Sequence, residues 1–349
     1  MQTPLQRKET HREIEILQVG RGAHRDSRSR GMRHEPAGTL VRASGPFALA
    51  KRSGLTFEGL GSRALARLVA VTALLAAAGS TQGVEIAAPY VPTAPSVVER
   101  MLEIARVGRD DYVIDLGSGD GRINITAAKN FGARGHGIEI DPQLVAQAIA
   151  NARAAGVSDR VSFIEGDLFA ADLSRATVVT MYLLRRSTIK LRDRLLALKP
   201  GTRIVSHAGS MDEWKADHFE LLDVKDRVRP DAPVKTYIHF WIVPARVAGN
   251  WRWKLAAGSK TVDYELAASQ QFQMLSGVLR VDGKEGRLEK LRLEGDRIAI
   301  EFTADIDGRS ARHVLTGRVA GDTIVGTAAI TGDRMQVKQE WKAGLQSKP

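Results

Sequence analysis

The chain has 349 residues, 43% hydrophobic and 26% charged, which is ordinary for a globular protein and long enough for more than one core. It contains no cysteine, so disulfides, cysteine-ligated zinc and thiolate catalysis are excluded. The net charge of +11 is concentrated at the start: residues 1–80 carry 13 Lys/Arg against 6 Asp/Glu, a balance of +7, and the remaining 38 against 34 give +4.

Residues 1–60 are rich in Arg, Gly, Ser and His and lack apolar periodicity, which predicts a disordered basic leader. Such a leader suits an anionic lipid or nucleic-acid surface, and an overlong coding start is the competing reading. Residues 61–83 read as a signal-like or anchor segment. Ala64–Ala78 is apolar except for Arg67 and Thr72, Arg63 precedes it, and Ala76-Ala77-Ala78-Gly79-Ser80 supplies a small-residue end. The apolar stretch is shorter than the ~20 residues of a spanning helix. Membrane association through residues 64–78 is the expectation, with an ordinary amphipathic or buried helix as the alternative. Basic residues precede the segment and none follows until Arg100, so the positive-inside rule places the rest of the chain outside the cytoplasm.

From Ala88 strands and helices alternate, and residues 88–245 predict a Rossmann-like doubly wound α/β sheet. Pro95–Val107 carries a helical apolar stripe. Tyr112–Leu116 is a first strand, Ile123–Phe131 a helix, Gly135–Ile140 a second strand and Gln143–Ala155 a further helix. Strands follow at Val161–Ile164, Thr177–Met181 and Arg203–Ser206, the last two separated by a helix over Thr188–Leu198. Phe219–Val224 and Lys235–Ile242 read as a closing antiparallel pair. Residues 247–345 change texture. Turn pairs at Asp282-Gly283, Gly295-Asp296, Asp307-Gly308, Gly321-Asp322 and Gly332-Asp333 punctuate alternating stretches, which predicts a small antiparallel barrel or sandwich. Trp251, Trp253 and Trp341 are expected to fill its core or ends.

The chemistry concentrates in Asp115-Leu116-Gly117-Ser118-Gly119-Asp120-Gly121-Arg122. Glycines at alternate positions let the backbone turn sharply at a strand end and let a ligand approach closely. The spacing is G-x-G-x-G, and Arg122 stands where a dinucleotide fingerprint wants glycine or alanine. Asp115 repels a pyrophosphate and suits an ammonium. S-adenosylmethionine (SAM) has an ammonium and no phosphate. Three acids fall at the carboxyl ends of the first three strands, where ligands of such sheets lie. Asp115, with Gly117, Ser118, Gly119 and Gly121, would meet the methionine end. Glu139 can accept both ribose hydroxyls. Asp167 can accept from the adenine amine while Leu168 covers the ring. Asp141 is the expected helix cap before Pro142.

These features resemble motif I of the class I SAM-dependent methyltransferases. Pro89-Tyr90-Val91-Pro92-Thr93, the helix through Met101, the loop at 115–122, Ala127-Ala128-Lys129 and Gly137-Ile138-Glu139-Ile140-Asp141-Pro142 form one ordered series. Over about residues 88–215 the chain is similar to bacterial relatives of the protein-lysine methyltransferases that modify mitochondrial adenine nucleotide translocase and the c-ring protein of ATP synthase. The resemblance implies that Tyr90 and Thr93 lie over the cofactor and that the methyl acceptor is a protein lysine. Read without it, Pro89-Tyr90-Val91-Pro92 is a rigid extended linker. The leader, the apolar segment and the Trp-bearing β region lie outside the resemblance.

No Asn/Asp-Pro-Pro-Tyr follows the fourth strand, so amino-methylation of DNA bases is disfavoured and no specific nucleic-acid partner is expected. Tyr182 is the candidate wall of an acceptor channel, with a core tyrosine as the alternative. His207 and Trp214 follow the fifth strand near the expected active face; His207 suits either a proton acceptor or a satisfied structural histidine. A small-molecule O- or N-methyltransferase and a non-catalytic SAM-fold binding protein remain open at this level. So does the conflict between an exported domain and a cofactor made inside the cell.

Overall fold

The computed structural model describes residues 88–224, 234–258, 260–333 and 335–348. The expected leader at 1–60 and the anchor-like segment at 61–83 lie outside the described residues. No helix among the described residues is long and apolar enough to cross a membrane.

Helix α1 (Pro95–Ile104) opens on a proline, which is pre-set for the first helical position, and buries Val97, Val98, Met101 and Leu102. Strand β1 (Tyr112–Leu116) leads through the glycine loop into α2 (Arg122–Phe131). Then come β2 (Arg134–Glu139), α3 (Pro142–Ala154), β3 (Val161–Glu165) and β4 (Val178–Met181). Asp141 caps α3 by accepting the Gln143 N–H at 2.8 Å, with Pro142 at the first position. Helix α4 (Arg185–Leu196) starts three residues before the expected Thr188. Its cap position is Leu184, which makes no side-chain cap bond, so no capping signature marks the start. Strands β5 (Arg203–His207), β6 (His218–Val224) and β7 (Val234–Ile242) complete a seven-stranded sheet in the order β3-β2-β1-β4-β5-β7-β6. Strand β7 alone runs antiparallel to its neighbours.

Alternation along the strands sorts the core. Val113, Val178, Val205 and Ile238 pack with α1 and α2, while Ile114, Val179, Ile204 and Trp241 pack with Leu191 and Leu195 of α4. Strands β3 and β4 are joined by a loop with no helix. Arg194 of α4 holds that loop, donating to the carbonyls of Leu168, Phe169 and Ala171.

The second sheet has nine antiparallel strands: β8 (Gly249–Ala257), β9 (Lys260–Gln271), β10 (Met274–Val281), β11 (Lys284–Glu285), β12 (Arg287–Glu294), β13 (Arg297–Ile306), β14 (Arg309–Ala320), β15 (Thr323–Gly332) and β16 (Met335–Ser347). The order β11-β10-β9-β8-β16-β15-β14-β13-β12 curls until the Gly286 N–H reaches the Leu279 carbonyl at 3.0 Å, a nearly closed barrel. Burial alternates strictly along β8. Trp251, Trp253 and Trp341 are all buried, and Trp253 stacks on Tyr264 at 5.5 Å. The tryptophans therefore fill the barrel. The last turn sits one residue later than expected, because Gly332 belongs to β15 and pairs with Met335.

Trp214, which follows β5, is buried away from the carboxyl-end cleft. It stacks on Phe272 of the β9–β10 turn with centroids 6.1 Å apart, and its carbonyl accepts the Trp241 indole N–H at 2.8 Å. The Ala245 N–H donates to Gly295 at 2.8 Å alongside. The aromatic contact, the Ala245–Gly295 bond and the Gln273 side chain donating to the Lys215 carbonyl at 2.7 Å tie the two sheets together. Trp214→Ala is expected to cost about 3–5 kcal/mol of unfolding free energy, measured by urea denaturation.

Candidate active site

The carboxyl ends of β1, β2 and β4 frame a cleft of about 780 Å³ including its open mouth. The structure brings together on it Tyr90, Thr93, Asp115, Gly117, Ser118, Gly119, Glu139, Asp167, Leu168 and Tyr182. Gly121 is the one expected residue that does not line it. It serves as the N-cap of α2 at φ +80°, where a Cβ would meet the Phe163 ring at 2.5 Å.

The loop geometry begins with Asp115, paired in register with Gly137 on one side and Thr180 on the other. Its side chain is 1% exposed. Oδ1 accepts the Thr180 hydroxyl at 2.7 Å, while Oδ2 has no hydrogen-bond partner among the described residues. Burial, opposed by the Thr180 hydrogen bond and reinforced by the charges of Glu139 and Asp120, pushes this carboxyl up to about 7. The Ser118 hydroxyl on the same cleft is also buried and has no partner among the described residues.

Four of the loop amides are already spent. Gly117 and Ser118 donate to the Ile138 carbonyl at 2.9 and 3.0 Å, Gly121 donates to Ser118 at 2.9 Å, and Gly119 donates to Glu139 Oε2 at 2.8 Å. A pyrophosphate needs such donors, so this loop is a poor anion cradle. The charges agree. Asp115, Asp120, Glu139 and Asp167 all line the cleft, and its single arginine, Arg122, is tied to Asp120 at 2.6 Å. Burial raises the Asp120 carboxyl, but the hydrogen bonds and charge of Arg122 bring it below the usual carboxylate value.

Glu139 also accepts the N–H groups of Ile140 and Asp141 at 2.8 and 3.1 Å. Of roughly four acceptor positions on a carboxylate, three are engaged by backbone, leaving one on Oε2. Asp167 accepts the Phe169 N–H through Oδ1 at 2.8 Å and is otherwise exposed; Leu168 beside it is buried.

A strap over 88–93 crosses the cleft. The Tyr90 ring lies so close to Gly119 that a Cβ there would meet it at 2.6 Å. Arg122 donates to the Thr93 carbonyl at 2.7 Å. The Asp120–Arg122 clamp was not singled out from the sequence, although an acid and an arginine two residues apart inside the glycine loop were a visible signal. Thr236, which bonds His207, carried no such signal. His207 itself is buried with both ring nitrogens engaged, and burial holds it down at about 4.

The residues present fit SAM. A buried, unpaired carboxylate oxygen answers an ammonium, a hydroxyl without a partner among the described residues lines the same cleft, and acids replace the anion donors of a dinucleotide site. Because burial raises Asp115, its contribution to stability is greatest below its unfolded value near 4 and is lost as pH rises through about 7. The unfolding free energy of ligand-free protein, relative to Asp115→Asn, is expected to fall by about 1.4 kcal/mol per pH unit between those values. Parallel denaturation curves of the two proteins across pH check this, since every other titrating group is common to both.

Residues 115–218 match the ANTKMT methyltransferase domain family. A protein-lysine N-methyltransferase of Saccharolobus islandicus is 49% identical over 140 residues, covering 40% of this chain and 86% of that protein. The adenine nucleotide translocase lysine N-methyltransferase of Mus musculus is 37% identical over 129 residues, covering 36% of this chain and 56% of that protein. Among solved structures, an RNA methyltransferase from Salinibacter ruber in complex with S-adenosyl-L-homocysteine is 49% identical, covering 45% of this chain and 96% of that one with a TM-score of 0.40.

Proposed function

Because this chain belongs to the ANTKMT methyltransferase family and is a SAM-dependent methyltransferase, we propose that its methyl acceptor is the ε-amine of a protein lysine. The observation that carries this reading is the 49% identity across 86% of a protein-lysine N-methyltransferase. SAM supplies a methyl group on a sulfonium, whose departure leaves a neutral thioether, so transfer needs no general acid.

The chain's own task is alignment, desolvation and exclusion of water. Asp115 Oδ2 takes the ammonium, with the Ser118 hydroxyl beside it and Gly117, Gly119 and Gly121 shaping the turn. Glu139 offers its remaining acceptor position to one ribose hydroxyl while bracing the loop through Gly119. Asp167 and Leu168 hold the adenine, and Tyr90 and Thr93 close the strap over the cofactor. Tyr182 walls the acceptor side. A lysine nucleophile must be neutral, and deprotonating one near pH 7 costs about 4–5 kcal/mol from a reference value near 10.4. Desolvation between aromatic walls lowers that cost. His207 is a poor base for this proton, since both its nitrogens are engaged and burial holds its proton affinity down at about 4.

The test incubates the full chain with methyl-labelled SAM and total cell protein, beside Glu139→Ala. A labelled protein that yields methyl-lysine on hydrolysis is expected. Label found in RNA or small molecules, with none in protein, overturns the lysine reading. Glu139→Ala is expected to weaken S-adenosylhomocysteine binding at least about tenfold, through loss of charged hydrogen bonds worth about 1.5–3 kcal/mol. Unchanged affinity in a calorimetric titration removes Glu139 from the cofactor site.

A further inference from the structure

Three distant parts of the chain meet behind the acceptor side of the cleft. His207 ends β5, with Nδ1 3.3 Å from the Thr93 hydroxyl and Nε2 2.7 Å from the Thr236 hydroxyl. Thr93 belongs to the strap, and its carbonyl is held by Arg122. Thr236 lies on β7, which extends past the end of β5 because Ile238 is already opposite His207. Both edges of the imidazole are therefore fixed, one from each side of the sheet's carboxyl end.

The Tyr182 ring rests against this imidazole, with centroids 3.8 Å apart and planes inclined by 35°. Tyr182 follows β4, lines the cleft, and its hydroxyl has no hydrogen-bond partner among the described residues. Among the described residues nothing polar anchors the Tyr182 ring, and the tilted imidazole is the ring it rests against. A histidine pinned at both nitrogens offers neither a free lone pair nor a spare proton to a substrate. It offers shape.

Resting on the protein-lysine reading above, we propose that His207 is a positioning residue for the methyl acceptor: its pinned ring is a backing plate that holds Tyr182 as the wall along which the lysine side chain lies. Cofactor contacts come from other residues, so the effect falls on the acceptor. Displacing a reacting group by about 1 Å lowers rates on the order of a hundredfold, which makes a loose wall costly.

The test compares the full-length wild type with His207→Leu, which removes the flat ring, and His207→Phe, which keeps a ring and removes both hydrogen bonds. Each is assayed at saturating methyl-labelled SAM against increasing total cell protein, with S-adenosylhomocysteine affinity measured separately. The Leu variant is expected to lose about tenfold or more in kcat/KM for protein acceptor. The Phe variant, still able to stack, is expected to stay within about threefold of wild type. Cofactor affinity of both is expected to stay within about threefold, since His207 does not line the cleft. Wild-type rates in the Leu variant overturn the proposal. So does an equal loss in both variants, which assigns the effect to hydrogen bonding, or a matching loss of cofactor affinity, which assigns it to the strap. Should neither variant fold, His207→Gln removes the flat ring while keeping a polar group between Thr93 and Thr236, and an unchanged kcat/KM there overturns the proposal. Failure of the wild type to label any protein is a different result, and it sinks the lysine reading itself.

Discussion

A carboxylate sealed at the carboxyl end of β1 organises this site. Asp115 is almost inaccessible, one oxygen is satisfied by Thr180, and the other faces no donor. Burying an ionised carboxylate without a full set of partners is costly, and the raised proton affinity is the sign of that cost. A proton relieves that cost, and so would a ligand cation facing the unpaired oxygen. Strand β4 supplies the single hydroxyl. Strand β2 supplies the Ile138 carbonyl that pins two loop amides and Glu139 that pins a third. With its amides turned inward, the glycine loop becomes a rigid rim around an acid. The same sequence motif with free amides and no acid would be a phosphate cradle.

Much of this was legible from local residues. The acid two positions before the first glycine, the alternate glycines and the three acids after successive strands are all short-range patterns, and all of these residues but Gly121 lie on the cleft. Period-two alternation exposed the second sheet, and the turn pairs located most of its corners. The turn at Asp282-Gly283 works because both residues adopt positive φ, +46° and +79°. What stayed hidden depends on partners far apart in the chain. Thr93 and His207 are separated by 114 positions, and Thr236 looks like any strand threonine until β7 folds beside β5. The early start of α4 was hidden for another reason: Leu184 is a cap position without capping chemistry. The engagement of Glu139 with three backbone amides was likewise invisible, because a strand-end glutamate reads as free for a ligand.

The acids that suit the cofactor create a problem for the proposed acceptor. A cleft lined by four carboxyl groups attracts a lysine ammonium, and attraction stabilises the charged form that cannot react. Two features of the site work against this. Asp120 is neutralised by Arg122, and in the proposed binding mode Asp115 would face the ammonium end of the cofactor, so neither charge would be left free on the acceptor side. That side is instead walled by Tyr182 with the neutral His207 ring behind it, an aromatic surface that desolvates the amine without offering it a counter-charge. The separation is spatial as well as chemical, since the glycine loop follows β1 and Tyr182 follows β4, the neighbouring strand. A lysine drawn in by the acidic rim would lose its stabilisation as it passes onto the aromatic wall. The proton would depart to bulk water at the mouth, before the amine is sealed against the wall for in-line attack, with no residue required to hold it.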